Sequence, residues 1–278
     1  MDKDFYRNRD FIPDFDEIMA ETAARSRELA AQVTMKVDVP YGPGTRERMD
    51  ILFPSNSATG APLHMFIHGG YWRSGNKEDH RLVAAPVLEA GGVAAIVTYE
   101  LMPDTRLAAI VAQVRAAARH LLSIAPALGM DPARFTASGH SAGAHLASYL
   151  ASTGADETTS PDLPDLKGML LVSGIYDLSG IPASFLKEEA KMRPDEAAAW
   201  SPLTATQHAG PLRIIARGEK ETPPFHDQAQ RLVEQLTRHA QASENRNEAG
   251  LNHLTIVLDL ADARRPLGQR LADLVASC

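Results

Sequence analysis

The chain has 278 residues, of which 44% are hydrophobic and 23% charged, an ordinary globular composition that excludes disordered and fibrous classes. Its formal net charge of −7 provides no electrostatic attraction to nucleic acid or to an anionic membrane, so a small molecule is the expected partner. The single cysteine, Cys278, can form no intramolecular disulfide, and no cysteine cluster is present to hold zinc.

No targeting or membrane-spanning segment is expected in this sequence. Residues 1–7 (MDKDFYR) are charged and lead into no apolar signal-peptide core, and no later stretch approaches the roughly 18 apolar residues of a membrane span. We therefore expect a cytoplasmic protein that binds no membrane. The sequence leaves the oligomeric state open, with a homodimer as one option.

Short β-branched runs alternate with longer stretches of helical spacing, and no internal repeat is present. The predicted strands are residues 33–39, 48–53, 63–68, 93–99, 134–138, 168–173, 212–217 and 254–260. The predicted helices are residues 14–32, 77–90, 106–125, 142–152, 226–240 and 265–276. This order predicts one doubly wound α/β domain over residues 1–278, with a mainly parallel eight-stranded sheet, helices on both faces and an antiparallel entry.

Two segments interrupt the alternation of strands and helices. Residues 153–167, rich in Asp, Thr and Pro, are predicted to form a surface loop. Residues 175–203 contain a predicted short helix at 182–191 and follow the sixth strand, at the sheet edge where open α/β folds place their ligand crevice. We predict that residues 175–203 form a small cap over a pocket, and that the N-terminal helix packs against the sheet or the cap.

Residues 139–143 (GHSAG) match the nucleophile-elbow pattern, and they lie between an apolar strand and a helix-forming run, as that motif requires. The sharp strand-to-helix turn brings backbone close to backbone, which the flanking glycines permit. The elbow would expose the Ser141 hydroxyl above the sheet as a nucleophile. The alternative is a helix start at which Ser141 acts only as a capping residue.

A serine hydroxyl needs a base to take its proton, and His253 is the strongest candidate. It lies just before the last predicted strand, late in the chain, where the histidine of this motif set is expected. The orienting acid should follow the strand at 212–217, where Glu221 stands three residues after Gly218. Glu219 remains the main rival for that role, and Asp227 is a weaker one.

Residues 68–72 (HGGYW) follow the apolar strand at 63–68, and the glycine pair lets the backbone turn its N–H groups toward a reacting carbonyl. The predicted oxyanion-hole donors are Gly70, Tyr71 and Ala142. Tyr71 and Trp72 are candidates to line the pocket, although Trp72 could equally pack in the core.

Further segments extend this pattern: residues 6–9 (YRNR), 12–14 (IPD), 99–103 (YELMP), 174–178 (GIYDL), 201–203 (SPL), 221–225 (ETPPF) and 252–253 (NH). With them the chain resembles the bacterial arylformamidase (kynurenine formamidase)-like branch of the α/β-hydrolases, near the hormone-sensitive-lipase-like esterases, over nearly its whole length. The HGGYW run is the most branch-specific match, since many esterases carry HGGG.

The resemblance implies hydrolysis of N-formyl-L-kynurenine to formate and kynurenine, or of another aryl amide or ester, through an acyl-enzyme. It implies a triad of Ser141, His253 and Glu221, no cofactor and no metal. The candidate pocket residues are Tyr71, Trp72, His140 and Tyr176. A carboxylesterase for short acyl groups is the first alternative, and a non-catalytic binding protein on the same fold is a remote one. No HExxH or paired Cys/His spacing favours a metal-dependent hydrolase.

Overall fold

The computed structural model describes residues 3–56 and 59–278. The strands within these ranges are β1 (Thr34–Pro40), β2 (Arg48–Phe53), β3 (Ala61–Ile67), β4 (Val93–Val97), β5 (Met130–His140), β6 (Ser152–Thr153), β7 (Gly168–Val172), β8 (Thr206–Gln207), β9 (Leu212–Gly218) and β10 (Ser243–Glu248). The α-helices are α1 (Phe15–Gln32), α2 (Ala84–Glu89), α3 (Leu107–Ile124), α4 (Ala142–Ser148), α5 (Pro194–Ala199), α6 (Pro223–Arg238), α7 (Thr255–Leu260) and α8 (Pro266–Ala276). Short 3-10 helices lie at Asn8–Asp10, Glu78–Val83, Pro126–Leu128 and Ile181–Ala183.

Eight of these strands form one sheet in the order β1-β2-β4-β3-β5-β7-β9-β10, while β6 and β8 form a separate antiparallel pair. Strand β2 is antiparallel to both of its neighbours, and every other pairing in the large sheet is parallel. The predicted α/β-hydrolase fold, with its mainly parallel eight-stranded sheet and antiparallel entry, is confirmed.

The sheet separates two apolar layers, because successive side chains of a strand point to opposite faces. In β4, Val93, Ala95 and Val97 join the cluster that contains α3, α4 and α6, whereas Ala94 and Ile96 join the cluster that contains α2, α7 and α8. Helices therefore cover both faces, and the carboxyl ends of β3, β5, β9 and β10 converge at one edge.

The prediction of a strand at residues 254–260 is wrong, because this run forms helix α7. Its buried residues Ile256, Val257 and Leu260 lie on one helical face, and a short apolar run has no periodicity that separates a strand from such a helix. The eighth strand is the polar segment β10, which pairs with β9 at the edge of the sheet and keeps most of its side chains partly or fully exposed.

Two helix predictions also need correction. The cap segment has no α-helix over 182–191; it has the 3-10 helix at Ile181–Ala183 and helix α5 at Pro194–Ala199. Helix α6 begins at Pro223 rather than at His226, because proline is accepted in the first turn of a helix, where its missing N–H leaves no hydrogen bond unmade.

Helix α3 has the length and composition to cross a membrane, although the sequence was expected to contain no such stretch. In the fold its apolar side packs onto the sheet through residues such as Val111 and Val114. The buried Arg115 in its middle donates to the carbonyl oxygens of Tyr149 and Ser152. Helix α3 is therefore built into the core of this domain.

Candidate active site

Ser141 occupies the turn between β5 and α4, with backbone angles φ 57° and ψ −120°. This conformation is strained for a residue with a side chain, and it persists because the surrounding backbone fixes it. The Ser141 N–H donates to the carbonyl of Val172 across 2.8 Å, and a side-chain carbon at Gly143 would lie 2.0 Å from the Ile67 carbonyl oxygen. The GHSAG segment thus forms a tight strand-to-helix elbow.

Ser141, His253 and Glu221 form a continuous hydrogen-bonded chain. Oγ of Ser141 lies 3.0 Å from Nε2 of His253, and Nδ1 of His253 lies 2.8 Å from Oε2 of Glu221. Since the carboxylate can only accept, the His253 ring donates from Nδ1 and its Nε2 is left to accept the Ser141 proton. All three residues are at least nine-tenths buried, so the chain is shielded from bulk water.

Of the three candidate acids, the fold brings only Glu221 to His253. The Glu219 carboxylate instead accepts from the backbone N–H of Gly250 across 2.7 Å at an exposed site. Asp227 lies within α6 and forms an exposed ion pair with Arg231. The acid that contacts His253 is therefore Glu221, which lies three residues after Gly218.

The second oxygen of the Glu221 carboxylate is also fixed. Oε1 accepts from the backbone N–H of Gly218 at 2.7 Å and from the Ser173 hydroxyl at 2.5 Å. Ser173 directly follows β7 and has a positive φ of 53°, which orients its side chain from a strained backbone. Sequence reasoning missed Ser173, because a serine after a strand carries no signal of this contact.

The HGGYW loop follows β3 and passes beside the elbow. Gly70 adopts φ 116°, and the backbone N–H groups of Arg73 and Ser74 donate to its carbonyl, which closes a tight turn. Gly70 and Tyr71 line the same cavity as Ser141, and Ala142 is the first residue of α4. This arrangement matches the one expected for oxyanion-hole donors, whose role stays a prediction.

Two of the four predicted pocket residues do not line the cavity. Trp72 is fully buried in the core, where its indole N–H donates to Nδ1 of His145 across 3.1 Å. Tyr176 is also fully buried, and its backbone N–H is held by the Gln228 side chain. Tyr71 and His140, by contrast, do line the cavity.

The Ser141 hydroxyl lies on the floor of a cavity of about 460 Å³. This volume is within the usual range for small-molecule sites. The cap contributes Phe185 and Glu189 to the wall, but most of the roof comes from the N-terminal part of the chain. The N-terminal residues that line the cavity are Arg7, Asn8, Arg9, Phe15, Met19 and Thr22. The predicted cap therefore supplies only part of the cavity wall, and the N-terminal helix, predicted to pack against the sheet or the cap, supplies another part.

Residues 4–11, named here the N-terminal strap, are hydrogen-bonded to the cap and to the loop between β9 and α6 that carries Glu221. The Asp4 carboxylate accepts from the backbone N–H of Phe185 at 2.5 Å, and the Thr222 hydroxyl donates to the carbonyl of Phe5 at 2.7 Å. Thr222 directly follows Glu221. The strap therefore connects the cap to the loop that carries Glu221.

The strap also contacts the HGGYW loop through Tyr71. The Tyr71 hydroxyl donates to the carbonyl of Tyr6, and it accepts from the Asn8 side chain at 3.3 Å. The Tyr6 hydroxyl in turn accepts from Gln228 of α6 at 3.0 Å. Without tertiary structure these N-terminal polar residues give no signal that they belong to the site.

Several histidines beside the triad are kept neutral by burial. Desolvation lowers the pKa of His140 well below its usual value, and the neighbouring His253 adds to that effect. Nε2 of His140 donates to the backbone carbonyl of His253 across 2.8 Å, which fixes the loop that carries the base. Burial also lowers the pKa of His80, which lines the cavity. Neither side chain places a positive charge beside His253 near neutral pH.

Within residues 3–56 and 59–278, no three His, Cys, Asp or Glu side chains are grouped so as to hold a metal ion. The chemistry available on the described residues is that of a serine hydroxyl, an imidazole and a carboxylate in hydrogen-bonded series. Such a series suits acyl transfer.

Comparison with known proteins places this arrangement in a family. The family model named BD-FAE matches residues 49–236. A kynurenine formamidase from Danio rerio is 30% identical over 257 residues, which cover 89% of this chain and 85% of that protein. An esterase of Mycobacterium tuberculosis is 28% identical over 215 residues, which cover 70% of this chain and 50% of that protein.

Solved structures agree with these sequence relationships. A Silicibacter sp. protein described as a candidate thioesterase superposes with a TM-score of 0.81 at 26% identity, and the match covers 97% of both chains.

Proposed function

Because this chain belongs to the BD-FAE family, in the arylformamidase-like branch of the α/β-hydrolases, we propose that it cleaves N-formyl-L-kynurenine to formate and kynurenine. The chain is a hydrolase of the esterase and amidase type. The choice of an aryl formamide within that type is our proposal. The observation that carries the hydrolytic reaction is the hydrogen-bonded Ser141–His253–Glu221 chain beside a cavity of about 460 Å³, and the similarity to a kynurenine formamidase supports the choice of a formamide.

In the proposed reaction, Oγ of Ser141 attacks the formyl carbon while Nε2 of His253 takes the hydroxyl proton. Glu221 holds the ring with its Nδ1 proton facing away from Ser141 and stabilises the imidazolium that forms. The 3.0 Å separation of Ser141 Oγ and His253 Nε2 permits this transfer directly.

The attack places negative charge on the former carbonyl oxygen, and the backbone N–H groups of Gly70, Tyr71 and Ala142 are the proposed donors to it. Each well-aimed donor contributes a factor of about 10²–10³ to the rate. Collapse of the tetrahedral intermediate breaks the C–N bond, and His253 returns the proton to the arylamine as it leaves. Water then attacks the formyl ester of Ser141 with His253 as base, which releases formate and restores the serine.

The walls of the cavity support an aromatic leaving group. Apolar side chains of Phe15, Met19, Leu254 and Val257 line it, together with the Phe185 ring of the cap. The Tyr71 ring packs edge-on against Phe185 with centroids 5.5 Å apart. Aromatic side chains in this arrangement bind a planar ring through stacking and edge contacts.

A carboxylesterase for short acyl groups is the second candidate. It is favoured by the similarity to an esterase of Mycobacterium tuberculosis and by the fact that the triad serves ester and amide alike. Both candidates share the proposed preference for a compact acyl group. The bulky Tyr71 ring follows Gly70 directly, so a long acyl chain would have to displace it.

The deciding experiment compares kcat/KM of the purified protein for N-formylkynurenine, an aryl acetamide and p-nitrophenyl esters from acetate to decanoate. We expect turnover of the formamide and a steep fall with acyl length, since one methylene changes selectivity by roughly 10- to 200-fold in an apolar pocket. Turnover of acetate without the formamide would favour the carboxylesterase. A maximum at octanoate or longer, with the formamide untouched, would contradict both candidates.

A further inference from the structure

Positive charge predominates on the wall of the cavity that holds Ser141. Arg7, Arg9 and Arg73 line it. In the described part of the chain, Glu189 is the only residue with a carboxylate among those that line it. This is notable in a chain of net charge −7, whose surface as a whole repels anions. The cavity is therefore locally suited to a substrate that carries a negative group.

Two of these arginines already have carboxylate partners. Arg9 forms a two-point ion pair with Asp16 of α1, with nitrogen to oxygen distances of 2.6 and 2.8 Å. Arg73 lies 2.6 Å from Glu189. A bound anion would have to compete with these partners.

Arg7 is in a different position. Among residues 3–56 and 59–278, no carboxylate lies within ion-pair distance of its guanidinium. The group instead lies over the Phe185 ring, 5.1 Å from its centroid, and the side chain is exposed to the cavity and solvent. A ring face holds an arginine in place while its N–H edge stays free to bind a planar anion.

The strap that carries Arg7 is tied to the loop that lies beside Ser141. The strap is hydrogen-bonded to Tyr71, and the Tyr71 ring contacts the same Phe185 ring on which Arg7 lies. Tyr71 in turn follows Gly70 beside Ser141. One row of contacts thus leads from the proposed oxyanion hole to the Arg7 guanidinium.

We propose that Arg7 is a specificity-determining residue that binds the carboxylate of an α-amino-acid side chain borne by the aromatic leaving group. This inference rests on the proposed function, because N-formylkynurenine carries its scissile formamide on the ring carbon next to the one that bears the amino-acid side chain, and the α-carboxylate lies at the far end of that side chain. Ser141 and Arg7 line the same cavity, so in the proposed complex the formyl group lies at Ser141 and the carboxylate at Arg7. The planar guanidinium matches a carboxylate with two parallel hydrogen bonds.

The test measures how two inhibitors compete with p-nitrophenyl acetate for the site. L-Kynurenine keeps the α-carboxylate, whereas kynuramine is the same molecule without it. Inhibition constants are determined for the wild type, Arg7→Gln, Arg7→Lys and Arg9→Gln, at low and at high salt. Arg9→Gln is the matched control, because it removes the same charge from the same strap at an arginine already paired with Asp16.

We expect Arg7→Gln to raise the inhibition constant of kynurenine relative to that of kynuramine by about tenfold, and high salt to shrink the difference. Arg7→Lys should restore part of it, and Arg9→Gln should change the ratio by no more than about twofold. An unchanged ratio in Arg7→Gln, an equal effect in Arg9→Gln, or no inhibition of the wild type by millimolar kynurenine would overturn the proposal.

The same proteins are assayed with N-formylkynurenine to separate this inference from the proposed function. If the wild type leaves the formamide intact while kynurenine inhibition depends on Arg7, the proposed reaction fails and the carboxylate site stands. If the formamide is cleaved with unchanged kcat/KM in Arg7→Gln, the reaction stands and the assignment of Arg7 fails.

Discussion

The Glu221 carboxylate and the His253 ring, 32 residues apart in the chain, meet at 2.8 Å in a buried contact. The contact joins the loop after β9 to the loop after β10, whose strands are parallel neighbours. Parallel strands end at the same edge of a sheet, so residues that follow each strand can face each other there. A carboxylate in this position can select which imidazole nitrogen carries the proton.

The first prediction separates the two acidic residues of this loop. Glu221→Gln should lower kcat by about 10³-fold or more, because an amide can hold the His253 ring in the wrong tautomer. Glu219→Gln is the control and should change kcat by less than about threefold, since its carboxylate contacts only the exposed Gly250 N–H. Steady-state kinetics with p-nitrophenyl acetate decides between them. A large loss of kcat in Glu219→Gln would show that Glu219, rather than Glu221, is the acid of the triad.

Ser141→Ala should abolish turnover while the far-ultraviolet circular dichroism and the melting temperature stay close to those of the wild type. The change removes one oxygen from the cavity floor and leaves the backbone of the elbow in place. Residual activity above a few per cent would reject Ser141 as the nucleophile.

Labelling by a fluorophosphonate probe gives an independent check on the same residue. The wild type should be modified at Ser141, and Ser141→Ala should not be modified. An unlabelled wild type would instead support a binding protein on this fold.

Ser173→Ala should lower kcat by about tenfold and leave KM nearly unchanged. The Ser173 hydroxyl donates to Glu221 Oε1 at 2.5 Å, and hydrogen bonds to charged groups contribute about 1.5–3 kcal/mol. Its loss leaves the Gly218 N–H as the one remaining donor to Oε1, so the carboxylate is held less firmly toward His253 while the substrate wall is unaltered. Stopped-flow or steady-state kinetics on a variant with unchanged melting temperature would test this, and a change confined to KM would contradict it.

The protein should lose stability as the pH falls from about 6.5 toward 3. Burial lowers the pKa of His64 to about 3, from 6.5 in an unfolded chain. Between these two pH values the unfolded state binds a proton at His64 and the folded state does not. The stability from this group is complete above pH 6.5 and is lost as the pH falls toward the folded value. Between pH 7 and 5 the loss is on the order of 2 kcal/mol.

Urea unfolding at pH 7 and pH 5 measures this effect. His64→Gln should show a smaller drop than the wild type, because glutamine can hydrogen-bond to Thr136 and Ser138 without titrating. His239→Gln, at an exposed position, is the control and should keep the wild-type difference. Equal pH dependence in all three proteins would contradict the assignment.

The sequence by itself determined the features that depend on local backbone. The GHSAG elbow requires small residues at fixed offsets, and the HGGYW loop requires glycine at a positive φ, so both can be recognised from residue type and spacing. Short apolar and β-branched runs predicted seven of the eight strands of the sheet. The signal is clearest in β3, β4 and β7, because these parallel strands are buried along their whole length and must be apolar on both faces. These signals were enough for the fold class and for Ser141.

Only the tertiary structure decided the features that depend on distant segments meeting. Strand β10 is polar because it lies at the edge of the sheet, so no apolar run marked it as a strand. The apolar run of α7 is too short to show whether its apolar residues follow the period of a helix or of a strand. The choice of Glu221 over Glu219 depends on which carboxylate the loop turns toward His253. The placement of Arg7 over the cavity depends on contacts between the strap, the cap and the HGGYW loop, which are far apart in the chain and become neighbours only when the sheet brings them together.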